Sequence, residues 1–365
     1  LQLTANAQIT IEQFIQATEQ APQVAMFSDQ IDYLDTKPYR LSMLQKMEFR
    51  TQNRELTYGQ QEYALRFSPA NPWEVKNNNR FFKAYQSALG LEKAIVLKEA
   101  LLIRYEVVIN ILYYQQLKAI EAELKNMVDK QVLILERQQT SSFFDADEYV
   151  ELKMKQLNRI VQLEEADYEW QRFQQQMLRL YPEGGNNTLV IDTASIHGVA
   201  ALQSVVDSLE MTEAVSASIA YQQQRIEMAK AEYKLEKNNI NVGFLQTEFD
   251  QAKYTENGDT PINISFGITI PITNPNKGDM TKRRLDAIEA ENEYKEAQIE
   301  VKADKRTAQV RVKSLADRYR NLQIQIEKLE RGNLIQTLST LKGGDPLIVI
   351  QYREDLTKLK ALSLK

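Results

Sequence analysis

The chain has 365 residues, a formal net charge of −5, no cysteine and a single histidine, His197. Those counts exclude thiol nucleophiles, disulfide frameworks, Cys/His zinc sites and Ser-His-Asp triads, so the sequence offers no footing for an enzyme, a metal or a cofactor. A mildly acidic chain without a dense basic run is not expected to bind nucleic acid, and only 12 Gly and 9 Pro favour long uninterrupted helices.

Residues 1–7 end in an A-x-A pattern, as the tail of a secretory signal does, which would start a mature chain at Gln8. Two halves then repeat one order, residues 8–181 and 199–365, joined by a linker over 182–198 that contains Pro182-Glu183-Gly184-Gly185. In the first half, Ile9-Thr10-Ile11-Glu12 opens a helical stretch expected to reach about Arg50. Leu56 to Gln61 is a short piece, followed by Tyr63, Leu65 and Phe67 alternating with Ala64, Arg66 and Ser68. This first hairpin reads as too short to cross a membrane. After Pro69-Ala70-Asn71-Pro72 a very long helix is expected from about Arg80 to Arg137, then a break at Thr140 to Phe144 and a helix from Asp145 to about Leu180.

The second half has a helix from about Thr212 to Asn239, a strand near Val242 to Tyr254, and a second strand running into Pro271-Ile272-Thr273-Asn274-Pro275. A long helix from about Asp279 to Leu338, a break at Gly343-Gly344-Asp345-Pro346 and a last helix complete it. The long helices carry coiled-coil spacing, Leu117, Ile120, Leu124 and Met127 in one and Val312, Leu315, Tyr319, Leu322, Ile326 and Leu329 in the other. A helix from Arg80 to Arg137 would extend roughly 85–90 Å, which makes a rod or tube rather than a globule. The most apolar window, Ile95 to Tyr114, holds Lys98, Glu99, Arg104 and Glu106, too many charges for a lipid-facing helix. A membrane role would therefore require a β-barrel.

The segment from Ile262 to Thr273 alternates without a fault, with Ile262, Ile264, Phe266, Ile268 and Ile270 on one side and small or polar residues on the other. It has the length to cross a bilayer, and an apolar face towards lipid with a polar face towards a lumen produces this alternation. A soluble half-buried strand would read alike. Context favours the barrel, because a lone hairpin cannot bury such a face on helices already committed to their own seams, and closure between several chains removes the exposed edges.

With these elements in this order, the chain resembles the TolC-like outer-membrane efflux family over nearly its whole length. The opening Ile9-Thr10-Ile11-Glu12-Gln13-Phe14, the passage Ile268 to Pro275 followed by Arg283-Arg284, and the turn Lys342-Gly343-Gly344-Asp345-Pro346-Leu347 carry the resemblance. It implies a fold that is mainly α with a small β part: a two-repeat, long α-helical coiled-coil tube with β-hairpins contributing to a trimeric transmembrane β-barrel. It also implies a homotrimer in the bacterial outer membrane, in contact with outer-membrane lipid and extending into the periplasm. Its partners would be a periplasmic adaptor (membrane fusion) protein and an inner-membrane transporter. Its role would be the passive exit duct of a tripartite efflux pump or type I secretion system, exporting small molecules or proteins. The chain is short for the family, which implies a reduced belt around the tube.

A channel needs a lined lumen and a gate rather than a catalytic group. Asp345 at the second helix turn, with Asp145 and Asp147 at the first, would form an acidic channel entrance when repeated around a trimer. Each also reads as a plain helix cap, Asp345 before Pro346 and Asp145 three residues ahead of Glu148. Thr140, Ser141, Ser142, Gly343 and Gly344 are small tip residues that either serve turn chemistry alone or, by the resemblance, dock the adaptor. The rival class is a soluble periplasmic coiled-coil scaffold, adaptor or tether without a complete barrel.

Overall fold

A computed structural model describes residues 9–37, 42–53, 61–140, 144–182, 189–190, 201–202, 204–205, 216–238, 243–250, 262–268, 276–331 and 346–364. In chain order the elements are β1 (Ile9–Thr10), α1 (Ile11–Gln16) with a 3-10 turn after it, α2 (Pro22–Thr36), β2 (Leu44–Asn53), β3 (Gln61–Pro69), α3 (Pro72–Gln138) and α4 (Ala146–Leu180). Then come β4 (Leu189–Val190), α5 (Ala217–Lys237), β5 (Phe244–Asp250), β6 (Ile262–Gly267), α6 (Lys277–Arg331) and α7 (Pro346–Leu364). The 67 residues of α3 make a helix roughly 100 Å long. Among the described residues no helix is long and apolar enough to cross a membrane.

The first half departs from the sequence expectation at its first hairpin and at the start of α3. Helix α2 stops at Thr36, and Leu44–Asn53 is a ten-residue strand rather than the end of a helix. The first hairpin is therefore longer than expected: β2 pairs antiparallel with β3 from Leu44↔Pro69 to Asn53↔Gln61. Helix α3 also starts eight residues before Arg80, at Pro72, whose missing N–H suits a first helical position. Asn71 sets that start. Its Oδ1 accepts from the Trp73 amide at 3.0 Å, while its Nδ2 donates to the carbonyl of Asn238 at the end of α5, 2.6 Å away.

Contacts divide the chain into two units, one drawn from Leu1–Ala21, Leu97–Glu213 and Asp304–Lys365, the other from Pro22–Val96 and Ala214–Ala303. In the first, Ile9 and Phe14 pack with Val107, Val108, Ile111 and Phe173. A capping box fixes α1 there, with Thr10 Oγ1 accepting from the Gln13 amide and Gln13 Oε1 from the Thr10 amide. Farther along, Val128, Val132 and Leu135 of α3 meet Leu152 of α4. The buried seam of α3 thus runs through Leu124, Val128, Val132 and Leu135, whereas Leu117, Ile120 and Met127 are only half-buried.

The second unit holds a four-stranded antiparallel sheet in the order β2-β3-β5-β6. Below it the helices approach through small residues, Ala84 and Ala88 on α3, Ala231 on α5, Ala287 and Ala290 on α6. Helix α5 is fastened mainly by ion pairs: Arg80–Glu227 to α3, and Arg225–Glu293, Lys230–Glu291 and Arg283–Glu232 to α6. Each is partly exposed, so each contributes about 0–1 kcal/mol.

Candidate functional site

Side chains alternate along a strand, so the register decides what each face of the sheet carries. One face aligns Met47 with Phe67, Leu245 and Phe266, then Phe49 with Leu65, Thr247 and Ile264, then Thr51 with Tyr63, Phe249 and Ile262. Two threonines apart, it is apolar across all four strands. Its edge strands are bare, with Met47 62 % exposed, Phe49 67 %, Ile264 71 % and Phe266 72 %, while Tyr63, Leu65 and Phe67 of β3 between them are half-buried. Ile262 and Ile268 are equally open, and Ile270 lies outside the described residues. A single exposed leucine needs no explanation, but a contiguous exposed apolar face of this extent marks contact with a partner or with lipid.

The opposite face is polar. Lys46, Glu48 and Arg50 of β2 form ion pairs along the strand, next to Arg66 of β3, and Gln246 and Glu248 of β5 lie beside Asn263 and Ser265 of β6. The exception is Phe244, opposite Gly267, whose ring takes the Arg66 guanidinium at 3.8 Å from its centroid. Gly267 leaves room for that ring, since a Cβ there would stand 2.5 Å from Phe244 Cε1. Gly243, with φ +130°, adopts a backbone few side chains tolerate, and a Cβ on it would overlap the Gly267 carbonyl oxygen. Among the described residues β2 and β6 are the edges of this sheet.

At the helix turn of the first half, Asp145 is the N-cap of α4, its Oδ1 accepting from the amides of Asp147 at 2.9 Å and Glu148 at 3.1 Å. Asp147 lies exposed in the first turn, where an acid complements the helix dipole. Thr140 follows α3 in an exposed turn, while Ser141, Ser142, Gly343, Gly344 and Asp345 lie outside the described residues.

A charged centre that the sequence did not point to joins α7 to the α3–α4 pair. Glu354 is fully buried, with Lys155 Nζ at 2.6 Å, Lys358 Nζ at 3.1 Å and Arg159 Nη2 at 3.7 Å, and Arg159 also reaches Glu121 at 3.0 Å. Nearby, burial tends to raise the Asp129 carboxyl, but hydrogen bonds from Lys125 and Gln156 outweigh it and hold the group below its usual range. Lys153 does the same for Glu136 by hydrogen bonding. Arg104 is buried with no carboxylate partner among the described residues; it donates to the carbonyls of Leu180 and Ala17, and desolvation lowers its pKa. Among the described residues no three acidic or imidazole side chains gather as a metal would need.

Long helices together with a small antiparallel sheet make up the TolC-like fold of outer-membrane channels, and this chain has that fold. VceC, an outer membrane protein of Vibrio cholerae, superposes with a TM-score of 0.66 at 12 % identity, covering 97 % of this chain and 93 % of VceC. The open-state MtrE outer membrane channel of Neisseria gonorrhoeae gives 0.66 at 10 % identity, covering 97 % and 84 %. The CmeC outer membrane channel of Campylobacter jejuni gives 0.64 at 12 % identity, covering 96 % and 79 %. No family model matches the sequence, and no curated protein matches it.

Proposed function

We propose that three copies of this chain form a passive export channel of the bacterial outer membrane, the exit duct of a tripartite efflux pump or type I secretion system. The observation that carries the reading is the sheet, apolar on one face and polar on the other across four strands in register, with the apolar side chains of both edge strands bare. Lipid covers such a face without a protein partner, and closing the edges β2 and β6 of neighbouring copies satisfies backbone groups that hydrocarbon cannot. A soluble scaffold would leave Phe49, Ile264 and Phe266 in water, which speaks against the rival.

In this reading the helices extend into the periplasm towards an adaptor and an inner-membrane transporter. Asp345, with Asp145 and Asp147, lines the entrance, and Thr140, Ser141, Ser142, Gly343 and Gly344 form the docking tips. Lipid contact is tested with Ile264→Trp in a Trp73→Phe/Trp170→Phe background, reconstituted into vesicles of acyl-brominated phosphatidylcholine. The indole emission is expected to be quenched relative to unbrominated vesicles. Unchanged emission from protein bound to the vesicles would overturn the proposal.

A further inference from the structure

Among the described residues the polar face of the sheet carries one aromatic ring, Phe244, and the backbone around it is shaped to admit it. Gly267 stands directly opposite, where any Cβ would collide with the ring, and Gly243, at φ +130°, leads the chain into β5 hard against the Gly267 carbonyl. Glycines weaken a strand, and they often mark a place where a ligand or another chain segment approaches closely. An apolar ring among ions, seated at that cost, calls for a use beyond strand pairing.

The ring is a platform for Arg66, whose half-buried guanidinium lies 3.8 Å from its centroid. One cross-strand neighbour of Arg66, Glu48, is engaged by Lys46 and Arg50. The other, Gln246, donates to Glu248, which lies on the side of Gln246 away from Phe244, so stacking draws Arg66 off from it. Among the described residues Arg66 has no carboxylate and no hydrogen-bond acceptor, only the ring. The charges of the face are zoned to match. In the two rows nearest α3, Lys46 and Arg66 outnumber Glu48; the next row sets Arg50 against Glu248, and the acids Glu62 and Asp250 share the row farthest from α3. The helix end of this face is therefore the end that attracts an anion.

We infer that Arg66, stacked on Phe244, is a binding station for the carboxylate of an exported solute on the inner wall of the barrel. A guanidinium held flat with its N–H edge unpaired is a preformed fork for the two oxygens of a carboxylate. Because the ring already restricts the side chain, little freedom is lost on binding. One uncompensated positive charge matches one carboxylate. The inference rests on the channel reading above and adds a chemical class of cargo. Three copies set three such forks at one level around the lumen, where a solute held briefly and released moves on stepwise.

The test is planar-bilayer recording of the reconstituted protein in KCl with citrate added as the probe. In the wild type, citrate is expected to lower the open-channel current in a saturable manner. Arg66→Lys keeps the charge but loses the planar fork, and should weaken the citrate block roughly tenfold while the conductance in KCl alone changes little. Phe244→Leu keeps the fork but removes its platform, and should weaken the block about threefold. Light scattering in detergent checks that each variant assembles as the wild type does. If wild-type pores conduct but ignore citrate, or if both variants are blocked as strongly as the wild type, the station is wrong while the channel stands. If the wild-type protein forms no pores, the channel reading itself fails, and the station with it.

Discussion

Replacing Gly267 by Ala places a methyl group 2.5 Å from Cε1, 2.8 Å from Cζ and 3.0 Å from Cδ1 of Phe244. All three distances fall short of ordinary carbon contact, about 3.5–4.0 Å, so the ring must retreat by roughly 1 Å. Its stacking partner, the Arg66 guanidinium at 3.8 Å, must shift with it or lose the contact. Overpacking of this kind costs about 1–3 kcal/mol, and a lost cation–π contact about 0.5–1 kcal/mol more. We expect a loss of about 2 kcal/mol, roughly thirty-fold in the unfolding equilibrium, read from urea unfolding of the detergent-solubilised protein. The decisive comparison is the double variant Phe244→Ala/Gly267→Ala, which removes the obstacle and should lose clearly less than the two single losses combined. A neutral Gly267→Ala, or strictly additive losses, would refute the argument that the glycine exists to seat the ring.

Other expectations follow from the helical part. Glu354→Gln leaves Lys155, Lys358 and Arg159 facing a neutral group, and because both lysines reach solvent and Arg159 keeps Glu121, it should weaken the docking of α7 by about 1–3 kcal/mol, seen as early proteolytic cleavage within 346–364. Asp345→Asn should weaken cation preference in bilayer recordings while the oligomer stays intact; unchanged selectivity would reduce Asp345 to a helix cap. The carboxyls of Asp129 and Glu136, held below their usual values of 3.8 and 4.5, stabilise the fold above those values, and the contribution disappears as pH falls through the lowered ones. Acid unfolding followed by circular dichroism should therefore begin at higher pH in Lys125→Met and Lys153→Met.

The long helices and the strand at Ile262 were legible because their apolar periods are clean. Strand β2 was not, since Met43, Leu44 and Met47 are spaced as on a helix face, while the period-two pattern of Met47, Phe49 and Thr51 against Glu48 and Arg50 is equally present. Only pairing with β3 selects the second, because tertiary hydrogen bonds decide between local preferences of similar strength. The cap at Asp145 could be read directly, since Asp three residues before Glu is a local signal. Glu354 could not, because nothing within α7 shows that Lys155 and Arg159, about two hundred positions earlier, enclose it. In the α3 seam, sequence spacing gave the right period but an offset phase: the partner helix α4 settles which stripe turns inward.

The central claim is that the bare sheet face belongs in lipid, within a barrel closed by three copies. Light scattering on protein extracted from the envelope fraction tests it most directly, with the detergent contribution subtracted. The account predicts a particle with the mass of three 42.2 kDa chains that precipitates when detergent is removed. A stable single chain in plain buffer would contradict it, because Phe49, Ile264 and Phe266 would then be facing water or another protein rather than a bilayer.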